Sequence, residues 1–167
     1  MAASLFVSVQ ESTAVRVCRD LVHLRTAKPL QFVDLTDLVA ERVRRSGVAE
    51  GTVTVQSRHT TAAILVNENE PLLLQDLADL LERWAPAGSH YRHNDLAARH
   101  APAPDEKPNG HAHARALLLG TSVCLTVAGG RIDLGDWQSV FLVELDGPRP
   151  RTVSVQVLGV SAGSRRS

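Results

Sequence analysis

An α+β fold is what this sequence predicts: a compact single domain of mixed or antiparallel sheet with a few helices. Three observations predict it. Apolar residues of strand period cluster toward both ends of the 167-residue chain. Stripes of helical period lie between them. No regular strand–helix alternation of the kind that builds a parallel sheet runs through the chain. The length suits one domain over residues 1–160, with 161–167 read as a disordered tail.

From the N-terminus, Leu5, Val7 and Val9 alternate, as do Val15 and Val17, and Phe32-Val33 follows Pro29, so residues 5–33 read as strands. The period then changes. Leu35, Val39 and Val43 recur every four residues and predict a helix over Thr36–Ser46, with Thr36 as its cap, Gly47 as its stop and Arg42, Arg44 and Arg45 as a solvated face. Val53 and Val55 alternate with polar neighbours, and Ala62–Val66 is a short apolar run, giving two strands around Ser57-Arg58-His59-Thr60-Thr61. Pro71 suits the first turn of a helix whose apolar stripe is Leu73, Leu77, Leu80, Leu81 and Trp84. Periodicity disappears from Pro86 to Gly110, and loops this long in a domain of this size are usually functional or mobile. Asn109 then caps a short helix carrying His113, Ala116 and Leu117, with Gly120 as its left-handed stop. Val123, Leu125 and Val127 alternate, Gly129-Gly130 marks a hairpin, and Val140–Leu145 and Val153–Leu158 are the closing strands. Gly147-Pro148-Arg149-Pro150-Arg151 reads as a turn with both arginines in solvent; gathering phosphates is the alternative role for them.

Composition narrows the function. Lys plus Arg equals Asp plus Glu at 18 each, and this zero balance argues against nucleic acid or an anionic membrane as the main partner. No apolar run approaches the roughly 20 residues that span a bilayer. Met1–Gln10 lacks the basic start and apolar stretch of a signal peptide, so a cytoplasmic location is expected. Cys18 and Cys124 sit among apolar residues and read as small buried hydrophobes, with a disulfide between them left open.

The chemistry-bearing residues are seven histidines and two polar clusters. Imidazoles from separate elements can build a zinc-type site, an acid–base site or a site for phosphate oxygens. The spacing matches no compact metal motif, so on spacing alone scattered core and surface histidines are the simpler reading. His23 reads as structural, and His90 and His100 have no supporting pattern. His111 and His113 lie about 200° apart on a helix, so only one of them can join His59 and His93. Asn67-Glu68-Asn69-Glu70 follows directly on an apolar strand; ligand contact and plain capping by Asn69 or Glu70 compete there. Trp137-Gln138 puts a large aromatic beside an amide, where a core tryptophan is the plainer alternative.

Taken in order, His59-Thr60-Thr61-Ala62, Asn67-Glu68-Asn69, Tyr91-Arg92-His93, His113 to Gly120, Leu134-Gly135-Asp136-Trp137-Gln138 and the segment from Gly147 to Gly159 resemble the YjbQ-like family, also called secondary thiamine-phosphate synthases. The resemblance covers nearly the whole chain except the tail. It implies an α+β fold assembled as a homotrimer with a site at or near subunit contacts. His59, His93 and His113, rather than His111, match the family's recurring histidines and are the implied metal ligands, for zinc first, or for magnesium with a diphosphate substrate. The implied reaction joins a pyrimidine methyl diphosphate to a thiazole phosphate and releases diphosphate. In it Glu68, Asn67 and His59 would act catalytically, Trp137 and Gln138 would take the ring, and Arg115 and Arg92 would meet the phosphates of a small phosphorylated metabolite. Two features depart from the family: Asp136 stands where Thr usually precedes the Trp-Gln pair, and the loop between His93 and His113 is longer. Metal-assisted chemistry on another phosphorylated metabolite and a non-catalytic trimeric metal- or metabolite-binding protein are the alternative functions.

Overall fold

The alternating and continuous apolar runs become strands of two antiparallel sheets in the computed structural model, which describes residues 15–102 and 106–161. The expected strand at Leu5–Val9 and the tail beyond residue 161 lie outside these residues. The larger sheet contains β1 (Val15–Arg25), β8 (Pro150–Val160), β3 (Glu50–Ser57), β5 (Ser122–Ala128) and β6 (Arg131–Ile132), in that spatial order. The smaller contains β2 (Gln31–Asp34), β7 (Ser139–Glu144) and β4 (Ala62–Asn67), again in spatial order. Among the described residues every pairing is antiparallel, which decides for them between the mixed and antiparallel sheets that the sequence left open.

The two kinds of strand pattern have different causes. In β3 and β8 one face is solvated, so buried Val53, Val55, Val153, Val155 and Val157 alternate with polar residues. Strands β4 and β7 are covered on both faces and therefore read as continuous apolar runs. On one face Ala62, Ile64, Val140 and Leu142 join the core shared with the larger sheet. On the other, Ala63, Phe141, Val143 and Leu145 pack beneath helices α2 (Pro71–Trp84) and α3 (Gly110–Leu119) through Leu81, Ala112 and Ala116. Phe141 anchors this second core, edge-on to Phe32 at 6.1 Å between ring centroids, and burying such a ring contributes about 1.5–3 kcal/mol.

Helix α1 (Thr36–Ser46) buries Val39 and Val43 against the first core and stops at Gly47, which adopts a left-handed φ of +68°. Its start differs from the expectation. The Thr36 hydroxyl does not cap the helix but accepts from the Val140 N–H of β7 at 2.9 Å, while the Asp34 carboxylate accepts from the Thr36 N–H at 2.7 Å. Arg42 and Arg44 pair with Asp20 and Glu41. At α2, Glu70 is the cap, accepting from the Leu72 and Leu73 N–H groups, but Trp84 turns outward because the second core is reached by Leu74 and Leu81. Gly120 ends α3 with a positive φ of 82° but an extended ψ of 164°, not the left-handed helical geometry expected. Cys18 and Cys124 are both free, and Cys124 is exposed, because it lies on the solvated face of β5. Among the described residues no helix is long and apolar enough to cross a membrane.

Candidate functional site

Strand β4 begins and β7 ends at the same edge of the smaller sheet, where Ala62 pairs with Glu144. Glu144 is fully buried, with a carboxylate that is thoroughly engaged. One oxygen accepts from the Leu145 and Asp146 backbone N–H groups at 2.9 and 2.8 Å, the other from the Thr26 hydroxyl at 2.8 Å and Arg151 Nε at 2.6 Å. Arg151 Nη2 completes the ion pair and also reaches the carbonyl and hydroxyl oxygens of Thr61, at 3.3 and 3.1 Å. Burial alone would raise the Glu144 carboxyl, but the Arg151, Asp146 and Thr26 hydrogen bonds hold it below the ordinary carboxylate range. Arg151 is thus buried, and the expectation that both arginines of this turn lie in solvent is corrected for it. A charge in so apolar a strand persists only with a partner, and the Arg151 guanidinium on β8, in the other sheet, is that partner.

Above this pair lies a pocket of about 320 Å³ walled by Thr60, Thr61, His93, Arg99, Glu106, Asn109, His113, Asp146 and Arg149. Its walls come from the residues leading into β4, the β7–β8 turn, the 3-10 turn Arg92–Asn94, the segment after it that carries Arg99 and Glu106, and the first turn of α3. Asn109 stands at the cap position of α3 but makes no side-chain cap; its Nδ2 donates to Asp146 at 2.8 Å, while Asn94 Oδ1 accepts from the Gly110 N–H. Because a carboxylate only accepts, this bond fixes the orientation of the Asn109 amide. Asn109 Oδ1 and His93 Nε2 are buried without a hydrogen-bond partner among the described residues, and His93 Nε2 lies 3.7 Å from the Glu106 carboxylate. The rings of His93 and His113 meet edge to face at 4.6 Å. Burial, then the neighbouring His93, lowers the His113 pKa, so its ring is neutral at pH 7. Arg99 pairs with Glu106, and Arg149 with Asp146 at 3.0 Å, so the pocket carries two cations already balanced by carboxylates.

The residues singled out from sequence divide into separate groups. His93 and His113 come together. His59 does not join them: its Nε2 accepts from the Thr152 N–H at 2.8 Å, just beyond the end of β3, and burial followed by the Arg151 charge lowers its pKa. His111 turns to Tyr91, 6.5 Å between centroids, in keeping with the helix-face argument that separated it from His113. Among the described residues no three His, Cys, Asp or Glu side chains are placed to hold a metal ion, so a three-histidine metal site does not fit the side chains of one chain. Arg115 is buried within α3, donating to the Ala85 carbonyl at 3.0 and 2.8 Å and paired with Glu82. Arg92 is exposed at the start of the 3-10 turn.

Asn67, Glu68, Trp137 and Gln138 gather at the opposite end of β4, where Asn67 pairs with Ser139. A six-residue strand separates them from the pocket by roughly 17 Å. Asn67 Oδ1 accepts from the Glu68 N–H, and Gln138 Oε1 accepts from the Gly135 N–H at 2.9 Å, closing a tight turn. That turn holds Trp137 out in solvent at 74% exposure, so it is not a core tryptophan, and Asp136 beside it is exposed as well. Sequence reasoning passed over Thr61, Asp146, Glu144 and the amide role of Asn109. The available signal was the lone carboxylate of Glu144 inside an apolar strand, which demands a buried cation.

A small antiparallel α+β domain with a polar pocket of paired histidines and arginines at one edge of its inner sheet is therefore the class of protein. The model of the family described as UPF0047 protein YjbQ-like matches residues 20–160, and the chain belongs to that family. It is 41% identical over 136 residues to a UPF0047 protein of Methanothermobacter thermautotrophicus, covering 81% of this chain and 88% of the relative. Among solved structures, a YbjQ-like protein of unknown function from Sulfolobus solfataricus P2 superposes with a TM-score of 0.80 at 34% identity, covering 87% of this chain and 99% of that one. A hypothetical protein from Aeropyrum pernix K1 gives 0.75 at 36% identity over 84% and 98%.

Proposed function

We propose that the pocket between His93, His113, Arg99 and Arg149 receives the phosphate of a small phosphorylated metabolite, in an enzyme of the secondary thiamine-phosphate synthase type. The carrying observation is the buried His93 Nε2, without a hydrogen-bond partner among the described residues, in a pocket about 320 Å³ in volume that also holds two guanidinium groups. Such a volume suits a small ligand. The reaction expels diphosphate from a pyrimidine methyl diphosphate as the thiazole phosphate attacks, and fixed cationic donors stabilise the leaving group. Arg99 and Arg149 would exchange their carboxylates for phosphate oxygens, and ring N–H groups of His93 and His113 would donate to the same oxygens.

Glu68, Asn67, Trp137 and Gln138 enter the reading through self-association. In a homotrimer they would come to a neighbouring copy's pocket, and the exposure of Trp137 favours such a contact. Zinc, or magnesium carried by diphosphate, would need a ligand beyond the His93–His113 pair, so no step is assigned to a metal. A cytoplasmic location accompanies this reading. The roughly 17 Å between Glu68 and the pocket within one chain favours, as a second reading, a non-catalytic metabolite binder.

Direct assay with both phosphorylated precursors, with and without chelator, is the test. The reading expects diphosphate release that His113→Ala reduces at least tenfold and His111→Ala leaves within about twofold. Binding of the precursors without turnover would favour the non-catalytic reading, and equal effects of the two substitutions would refute the pocket assignment.

A further inference from the structure

We infer that Thr61, held by the buried Glu144–Arg151 pair, is a ligand-binding residue whose hydroxyl proton is donated into the pocket to an acceptor oxygen of the ligand, here an oxygen of the phosphate. The inference rests on the phosphate reading of this pocket. A hydroxyl can donate once and accept twice, whereas a guanidinium can only donate. Arg151 Nη2 lies 3.1 Å from Thr61 Oγ1, so there the hydroxyl oxygen is the acceptor. Its single proton has no acceptor among the described residues, although Thr61 is only 6% exposed and borders the pocket.

Charge strengthens the effect. The cation behind the oxygen polarises the O–H and makes it a better donor, as in charge-assisted hydrogen bonds generally. The guanidinium cannot swing forward to take the ligand itself, because Glu144 binds it through both Nε and Nη2. Other groups at the pocket wall are referred to the same carboxylate: the Asp146 N–H donates to Glu144, and Thr26, which also donates to Glu144, accepts from the Arg149 N–H at 2.9 Å. Glu144 and Arg151 are therefore positioning residues, and Thr61 is the one that touches ligand.

Calorimetric and phosphorus-NMR titration with inorganic phosphate tests this on the full chain. Thr61→Val preserves shape and removes the hydroxyl; Thr61→Ser keeps it. The expected result is phosphate affinity weakened roughly ten- to a hundredfold in Thr61→Val, restored to within about threefold in Thr61→Ser, with both variants melting as cooperatively as the parent. A merely structural role would move melting temperature and affinity together and would give no rescue. If Thr61→Val does not fold, Thr61→Ala carries the same comparison. Phosphate bound equally well by parent and Thr61→Val overturns the inference alone, while a parent that binds no phosphate overturns the pocket reading and this inference with it.

Discussion

Replacing Arg151 with Met tests the energetic reasoning most directly. The substitution fills nearly the same volume and leaves Glu144, which has no solvent exposure, as a buried carboxylate without its cation. Thr26 and the N–H groups of Leu145 and Asp146 still donate to it, but the charge is uncompensated. Removing one partner of a buried pair costs about 3–5 kcal/mol. For a chain of this size each kcal/mol lowers Tm by about 2–4 °C, so the variant should melt about 6–20 °C below the parent. A second substitution, Glu144→Gln in the Arg151→Met background, removes the charge and keeps an acceptor for the two N–H groups. It should recover at least half of the loss. The deficit of Arg151→Met should also shrink as pH falls, because its buried carboxyl, raised by burial and no longer opposed by Arg151, becomes protonated first. Chemical denaturation at fixed protein concentration measures both effects. A single variant within about 1 kcal/mol of the parent, or a double variant no more stable than the single, would refute the argument.

The remaining predictions concern pH and close packing. Burial is the leading cause of lowered pKa values for His59, His111 and His113, so these rings bind protons more readily unfolded than folded. Folding stability should therefore be at its full value above about pH 6.5 and decline as pH falls below it, with a further acid loss below about pH 4.5 as lowered carboxylates such as Glu144 protonate. Thermal melts from about pH 3 to pH 8 check this, and His113→Gln should flatten the upper part of the slope; a profile with no decline between about pH 7 and 5 would contradict it. At the pairing of β3 with β8, Gly51 faces Gly159, and a Cβ on Gly159 would stand 2.2 Å from the Glu50 carbonyl oxygen. Gly159→Ala should cost roughly 1–3 kcal/mol by urea titration. Gly88→Ala, where a Cβ meets nothing within 4 Å, should be near neutral.

Much of the fold was legible because burial is periodic. Val39 and Val43 recur at helical spacing and fill the core, and the alternating valines of β3 and β8 do the same at strand spacing. What escaped reading depended on partners distant in sequence. Thr36 has the chemistry of a cap, but the Val140 N–H, 104 residues away, takes its hydroxyl. Asn109 has it too, and Asp146 holds its amide instead. Trp137 looked apolar enough for a core, yet local bonds between Gln138 and Gly135 set its direction. For the site, helix geometry correctly separated His113 from His111, since that is a local property. The expected strand Ala62–Val66 already sets the residues preceding β4 and those ending it a strand's length apart, yet the family resemblance made one cluster of residues that the fold of one chain divides.

That division bears on how function is built here. Because β7 is covered on both faces, a polar group within it must be satisfied internally, and Glu144 meets that requirement by tying together the start of β4, the β7–β8 turn and β8 itself. The first two of these segments wall the pocket, facing the 3-10 turn and the first turn of α3. A loss of Arg151 must therefore alter stability and site geometry together, whereas a loss of the Thr61 hydroxyl leaves both Glu144–Arg151 bonds in place. The two perturbations separate the cost of holding a charge inside the domain from the use made of it at the surface. If phosphate affinity follows Thr61 while stability follows Arg151, the buried pair is scaffold for an anion site. If both follow Arg151 alone, the pair is only a means of closing the sheet edge.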